Sequence, residues 1–90
     1  MEQVHLFISG NVQGVGFRQF VKNHARKLEL VGFVTNTNDN KVEAVVQGDQ
    51  KTIEQLITLC RKGPFLAEVR EVIDKKEIVT TSYKSFEIAR

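Results

Sequence analysis

Apolar residues recur along this chain with two different periods, and each change of period marks an element. From Gln3 to Ser9 they alternate, with Val4, Leu6 and Ile8 on one face and His5, Phe7 and Ser9 on the other, which is the repeat of a strand. The glycine-rich residues 10–16 break that pattern. Phe17, Phe20, Val21, His24, Ala25 and Leu28 then keep the i, i+3, i+4 spacing of an amphipathic helix. Val31–Val34 and Val42–Val46 read as two strands joined by the polar stretch Asn36–Asn40, with Val42, Ala44 and Val46 sharing a face. A second helix is expected after Gly48, with Asp49 as its N-cap and Ile53, Leu56, Ile57 and Cys60 as its apolar stripe. Gly63-Pro64 ends it, because glycine accepts the left-handed C-terminal position and proline cannot continue a helix. Residues 66–74 read as a strand, and Tyr83–Ile88 as a short last one.

This order, β-α-β-β-α-β plus a C-terminal strand, predicts an α+β fold of the ferredoxin-like split β-α-β type: an antiparallel sheet with two helices on one face. The connections are short and no repeat, linker or low-complexity tract interrupts them, so residues 1–90 are expected to form one domain. The fold selects no activity, since it serves enzymes, RNA readers and metal carriers alike.

Composition narrows the choice. Hydrophobic residues at 41% and charged residues at 27% match an ordered globular chain. No apolar run approaches the ~20 residues of a membrane-spanning helix, and Met1–Phe7 lacks the basic and long apolar segments of an export signal. A cytoplasmic protein without membrane association is expected. Cys60 is the one cysteine, so it has no disulfide or zinc partner within the chain, and its place on an apolar stripe reads as packing. His5 and His24 lack the spacing of a metal pair, and His24 reads as a histidine at the core edge. A formal charge of +2 is small for a nucleic-acid binder. Its distribution says more: Arg18, Lys22, Arg26 and Lys27 fall in one segment with no acid. Lys22, Arg26 and Lys27 read as a solvated basic helix face with at most a steering role for anions.

The chemistry concentrates in Gly10-Asn11-Val12-Gln13-Gly14-Val15-Gly16-Phe17-Arg18. Its glycines permit positive φ and leave N–H groups unobstructed. It leads into a helix N-terminus, where unpaired N–H groups and the dipole favour an anion, and Arg18 in the first turn offers a bidentate fork to the same space. A Walker A loop would need Gly-Lys-Ser/Thr where Gly16 precedes Phe17-Arg18, and a GxGxxG from Gly14 would need glycine at Gln19. On spacing alone the segment is either an anion loop or a plain strand-to-helix connection.

The same nine residues resemble the signature of the acylphosphatase family, a glycine and a variable residue followed by Val-Gln-Gly-Val-x-Phe-Arg. Gly32-Phe33-Val34-Thr35-Asn36 resembles that family's Gly-Trp-Val-x-Asn block. Cys60-Arg61-Lys62-Gly63-Pro64 with Ala67 and Val69 resembles its Arg-x-Gly-Pro-x-x-Ala-x-Val stretch, and Phe86-Glu87-Ile88 its closing strand. The blocks keep the family's order over almost the whole chain. The resemblance implies hydrolysis of acyl phosphates to a carboxylate and inorganic phosphate, without a metal or organic cofactor, by a small free-standing monomeric enzyme. It implies that Arg18 binds phosphate, that Asn36 holds the attacking water, and that backbone N–H groups around Gln13, Gly14, Val15 and Gly16 form the phosphate cradle. Two positions depart from the pattern: Phe33 replaces tryptophan, and Asn40 replaces the glycine of the hairpin turn, where asparagine tolerates the left-handed conformation next best.

Two rivals share the fold. An RNA-recognition module would put stacking aromatics on the strand after the first hairpin, and Lys41–Gln47 carries none. A non-catalytic binding domain, or the acylphosphatase-like domain at the front of a large hydrogenase-maturation carbamoyltransferase, would keep the cradle. Retention of both Arg18 and Asn36, and a chain that ends soon after its last strand, favour the free-standing enzyme, and the missing aromatics leave no nucleic-acid partner expected.

Overall fold

The computed structural model describes residues 1–89. Its elements are β1 (Glu2–Asn11), α1 (Phe17–Lys27), β2 (Val31–Asn36), β3 (Val42–Gly48), α2 (Gln50–Lys62), β4 (Glu68–Glu77) and β5 (Phe86–Ile88). They form a five-stranded sheet in the order β4-β1-β3-β2-β5. The first four strands pair antiparallel, as the split β-α-β pattern requires. The sheet as a whole is mixed rather than antiparallel, because β5 joins β2 in parallel, Gly32 opposite Phe86 and Val34 opposite Ile88. The connection after β4 crosses the foot of the sheet to reach the far edge, so β5 arrives running the same way as β2.

Both helices lie on one face. The alternation in β1 meets that of β3 in register, Val4 with Val46, Leu6 with Ala44 and Ile8 with Val42. These side chains, with Val34, are buried against Phe17, Val21 and Ala25 of α1 and Ile53, Leu56, Ile57 and Cys60 of α2. Burial of each large aliphatic or aromatic side chain contributes about 1.5–3 kcal/mol. Burial pushes the Cys60 thiol up to about 12, so it is an inert packing group. His24 sits half-buried at the core edge, 4.5 Å from the Phe20 ring.

Several boundaries differ from the sequence expectation. β1 runs on through Gly10 and Asn11, past a bulge at Ser9/Gly10 where its pairing with β4 shifts. Gly10 therefore serves the sheet: at its φ of 129° a Cβ would lie 2.1 Å from the Glu68 carbonyl oxygen. β4 spans Glu68–Glu77 instead of 66–74, since an edge strand this exposed shows little apolar alternation. Asp49 is the N-cap residue of α2, but its side chain makes no capping bond. Tyr83–Ser85 precede β5 as a loop. That loop hangs on Gln47, the one fully buried polar side chain among the described residues, which donates to the Thr81 carbonyl and accepts from the Tyr83 N–H.

The basic face of α1 is not simply solvated. Arg26 donates to the Phe86 carbonyl at 3.0 Å and pairs with Glu87 at 2.8 Å, and Lys22 lies 3.8 Å from the same carboxylate. Two of its three cations thus dock β5. The opposite face of the sheet carries no helix. There His5 stacks on Phe7 and lies between the carboxylates of Glu43 and Glu77, while Phe33 meets Tyr83 edge-on at 5.8 Å.

Candidate active site

The strand directions bring four chain segments to one end of the sheet. β1 and β2 run parallel to each other on either side of β3, so Asn11 and Asn36 end at the same edge as Ile88 of β5. The segment 12–16 leaves β1 there and turns into α1. Gly14 and Gly16 hold φ of 74° and 79°, the left-handed region, and a Cβ at either would meet nothing within 4 Å. Their conformation, not crowding, selects glycine.

Gly16 is the N-cap of α1, and no side chain caps the helix. The first intrahelical bond runs from the Phe20 N–H to the Gly16 carbonyl at 3.0 Å. The N–H groups ahead of Phe20 therefore stand at a positive dipole end with no acidic residue in the first turn, an arrangement suited to an anion. Arg18 lies in that first turn. It takes part in none of the ion pairs among the described residues.

A cleft of about 240 Å³ opens at this point. Gly14, Gly16, Arg18 and Asn36 line it, so four of the six residues expected from the sequence meet there. Val15 instead packs partly against the core, and the Gln13 side chain turns to the hairpin after β2. Val12 and Phe17, within the loop the sequence reading singled out but not named as site residues, and Gln19 and Ile88, outside it, complete the walls. Of these, Ile88 had no local signal, since it reaches the cleft only through the parallel pairing of β5 with β2.

Asn36 is the last residue of β2. Its Oδ1 is buried and accepts no hydrogen bond from the described residues. The turn beyond it is closed by its own bonds, Thr37 N–H to the Lys41 carbonyl at 2.9 Å and Lys41 N–H to Thr37 Oγ1 at 3.0 Å. Thr37 Oγ1 also donates to Asp39, which holds that carboxyl below its usual range, and Asn40 adopts the left-handed conformation at φ 66°. Among the described residues no group of three or more histidine, cysteine or acidic side chains is arranged to hold a metal ion. Among the described residues no helix is long and apolar enough to cross a membrane.

The cleft thus combines an uncapped helix N-terminus, one guanidinium and one orphaned amide oxygen. Comparison with known proteins bears on what such a cleft does. The acylphosphatase family model matches residues 4–88. An acylphosphatase of Acidiphilium cryptum is 47% identical over 70 residues, 78% of this chain and 77% of the relative. One from a Roseiflexus species is 39% identical over 88 residues, 98% of this chain and 95% of the relative. The crystal structure of acylphosphatase from Bacillus subtilis superposes with a TM-score of 0.97 at 29% identity, covering 100% of both chains.

Proposed function

The chain belongs to the acylphosphatase family and hydrolyses acyl phosphates, and from that premise we propose how its residues do so. The N–H groups of the segment Gln13–Gly16 and the Arg18 guanidinium hold the phosphate. Asn36 holds the attacking water. The observation that carries this reading is the buried Asn36 Oδ1, an acceptor without a donor among the described residues, on the wall of the cleft that Arg18 also lines. A buried polar atom left unpaired by the protein costs about 1–3 kcal/mol, which a water O–H donated to it relieves.

An acyl phosphate carries its own activation. The leaving carboxylate is a weak base and departs without a general acid. Phosphoryl transfer passes through a loose transition state with charge spread over the equatorial oxygens, so positioning and electrostatics supply most of the catalysis. Arg18 and the cradle stabilise that charge. Asn36 fixes a lone pair of the water toward phosphorus by accepting one of its hydrogens. The proton that the water sheds passes to the substrate phosphate. This chemistry asks for neither a metal nor an organic cofactor.

The same reading takes the enzyme as a cytoplasmic monomer. The edge strand β4 supports the monomer, because Arg70, Asp74, Lys75 and Lys76 load the edge with charge that discourages strand-to-strand pairing.

The test is hydrolysis of benzoyl phosphate, followed by loss of ultraviolet absorbance, for wild type, Arg18→Ala and Asn36→Ala, each with and without EDTA. Circular dichroism establishes that each variant is folded. Turnover resistant to EDTA and lost in both variants is the expected outcome. Loss of one oriented donor or acceptor should cost roughly 100–1,000-fold, and loss of the Arg18 charge more. Sensitivity to EDTA would overturn the metal-free mechanism, and full activity in either folded variant would overturn the role given to that residue.

A further inference from the structure

Gln13 precedes the glycines of the phosphate loop, yet its side chain belongs to another part of the site. Its amide nitrogen donates to the Thr37 carbonyl at 3.0 Å and to the Lys41 carbonyl at 2.9 Å, which uses both of its hydrogens. Neither acceptor is in its own segment. Thr37 follows Asn36 directly, and Lys41 precedes Val42, the residue opposite Asn36 in the ladder. The two carbonyls therefore flank the pair that ends the hairpin stem. The turn closes itself through Thr37 and Lys41, so its internal shape is set locally. Where it stands relative to the phosphate loop is another matter, because the loop issues from β1 and the hairpin from β2, with β3 between them.

We propose that Gln13 is a positioning residue, whose side chain sets the Asn36 amide at a fixed place against the phosphate loop without touching substrate. The proposal rests on the reading of Asn36 given above. In-line attack needs the water and the phosphorus in one alignment. The loop locates the phosphorus, the hairpin locates the water, and the Gln13 amide is a direct tie between the two. A misplacement of about 1 Å in such an alignment costs on the order of 100-fold in rate. The backbone cradle, by contrast, is built by the φ angles of Gly14 and Gly16 and by α1, and does not draw on this amide.

The experiment measures benzoyl phosphate hydrolysis, with inorganic phosphate as a competitive inhibitor, for Gln13→Met and Gln13→Glu in the wild-type and Asn36→Ala backgrounds. Gln13→Met keeps the length and loses both donors. It should lower kcat by about 10–100-fold while phosphate inhibition stays unchanged. In the Asn36→Ala background the same substitution should cost nothing further, since the group it positions is gone. Gln13→Glu sets a carboxylate against two carbonyls and should lose as much at neutral pH. Protonation restores one donor, so its rate relative to wild type should recover as the pH falls, whereas that of Gln13→Met should not. Equal losses in both backgrounds, or phosphate inhibition weakening in step with the rate, would overturn the positioning role. Wild-type rates in Asn36→Ala would sink the reading of Asn36, and this role with it. A slow Asn36→Ala enzyme with an additive loss from Gln13→Met would sink the positioning role alone.

Discussion

Asn36→Ala should separate activity from stability. The Asn36 Oδ1 is buried and takes no hydrogen bond from the described residues, so truncation breaks no native bond to that atom. The unpaired acceptor itself costs about 1–3 kcal/mol, less whatever solvent in the cleft returns. The side chain is half-buried and borders an open cleft, so its removal leaves no sealed cavity. Folding stability should therefore change between a loss of about 0.5 and a gain of about 1 kcal/mol, small on the scale of most point mutations. For a chain of this length 1 kcal/mol corresponds to about 4–8 °C, so the midpoint should stay within about 8 °C of wild type and tend upward. The rate should fall by roughly 100–1,000-fold, equivalent to about 3–4 kcal/mol of transition-state stabilisation. Thermal melts by circular dichroism and benzoyl phosphate turnover on the same samples read both quantities. A destabilisation beyond about 2 kcal/mol would show that the amide holds the fold, and the rate loss would then say nothing about water.

Three other outcomes follow from the geometry. His5 stands between Glu77 and Glu43 with Lys75 opposite it in β4 and the Phe7 ring stacked on it. Burial works against its charging, but the two carboxylates outweigh that and raise it above 6.5, while its bond to Glu77 holds that carboxyl below 4.5. A raised histidine contributes stability that is full below 6.5 and lost as the pH climbs through its folded value. Glu77 contributes above 4.5 and fails on acidification, so the pair supports the sheet most between the two. Melts of wild type should be higher near pH 6 than pH 8, and His5→Gln should flatten the difference; an unchanged slope in that variant refutes the clasp. The cleft lining includes no histidine, cysteine or carboxylate that could act as acid or base, so kcat should follow only the ionisation of the substrate. An enzyme group titrating in the pH profile, seen with two substrates of different acidity, would contradict a site without an acid or base. Gln47→Leu leaves the Tyr83 N–H and Thr81 carbonyl without their anchor and should cost about 2–4 kcal/mol in urea unfolding; a loss under 1 kcal/mol would mean the crossing loop holds without it.

What the sequence made legible follows from which features are local. The alternation of Val4, Leu6 and Ile8 and the helical stripe from Phe17 to Leu28 are local, and both elements formed where expected. The last three residues of β4 are not legible, because Lys75–Glu77 lies at a sheet edge where apolar alternation fades. Gly10 looked like part of the anion loop, whereas its reason is a backbone contact with Glu68, far away in sequence. Lys22 and Arg26 looked solvated because Glu87 enters from the other end of the chain. Gln47 gave no sign at all: a lone glutamine ending a strand reads as surface, and only the returning loop turns it into a buried anchor. In the site, the anion-binding character of residues 12–18 could be argued from glycine spacing and Arg18. Asn36 was another matter. In a polar turn it reads as a turn former, and only the likeness of its block to a family pattern singled it out.

The division of labour proposed for the cleft would explain why so short a motif suffices. Phosphate recognition by N–H groups, as proposed, would ask nothing of the side chains at Val12 or Val15 beyond packing, since every residue but proline supplies the donor. It asks for positive φ at Gly14 and Gly16, because a β-carbon there is strained even where there is room for it. The helix that follows needs no capping side chain, and a capping carboxylate would compete with the substrate for the same donors. On the proposed mechanism, specific side chains are required only where backbone cannot serve: a full positive charge at Arg18, and an acceptor facing a water at Asn36. Arg18 sits in the first turn of α1 and Asn36 at the end of β2. The two hydrogen bonds of the Gln13 side chain span the gap between loop and hairpin, and the proposed mechanism needs such a tie even though that amide itself never meets the substrate.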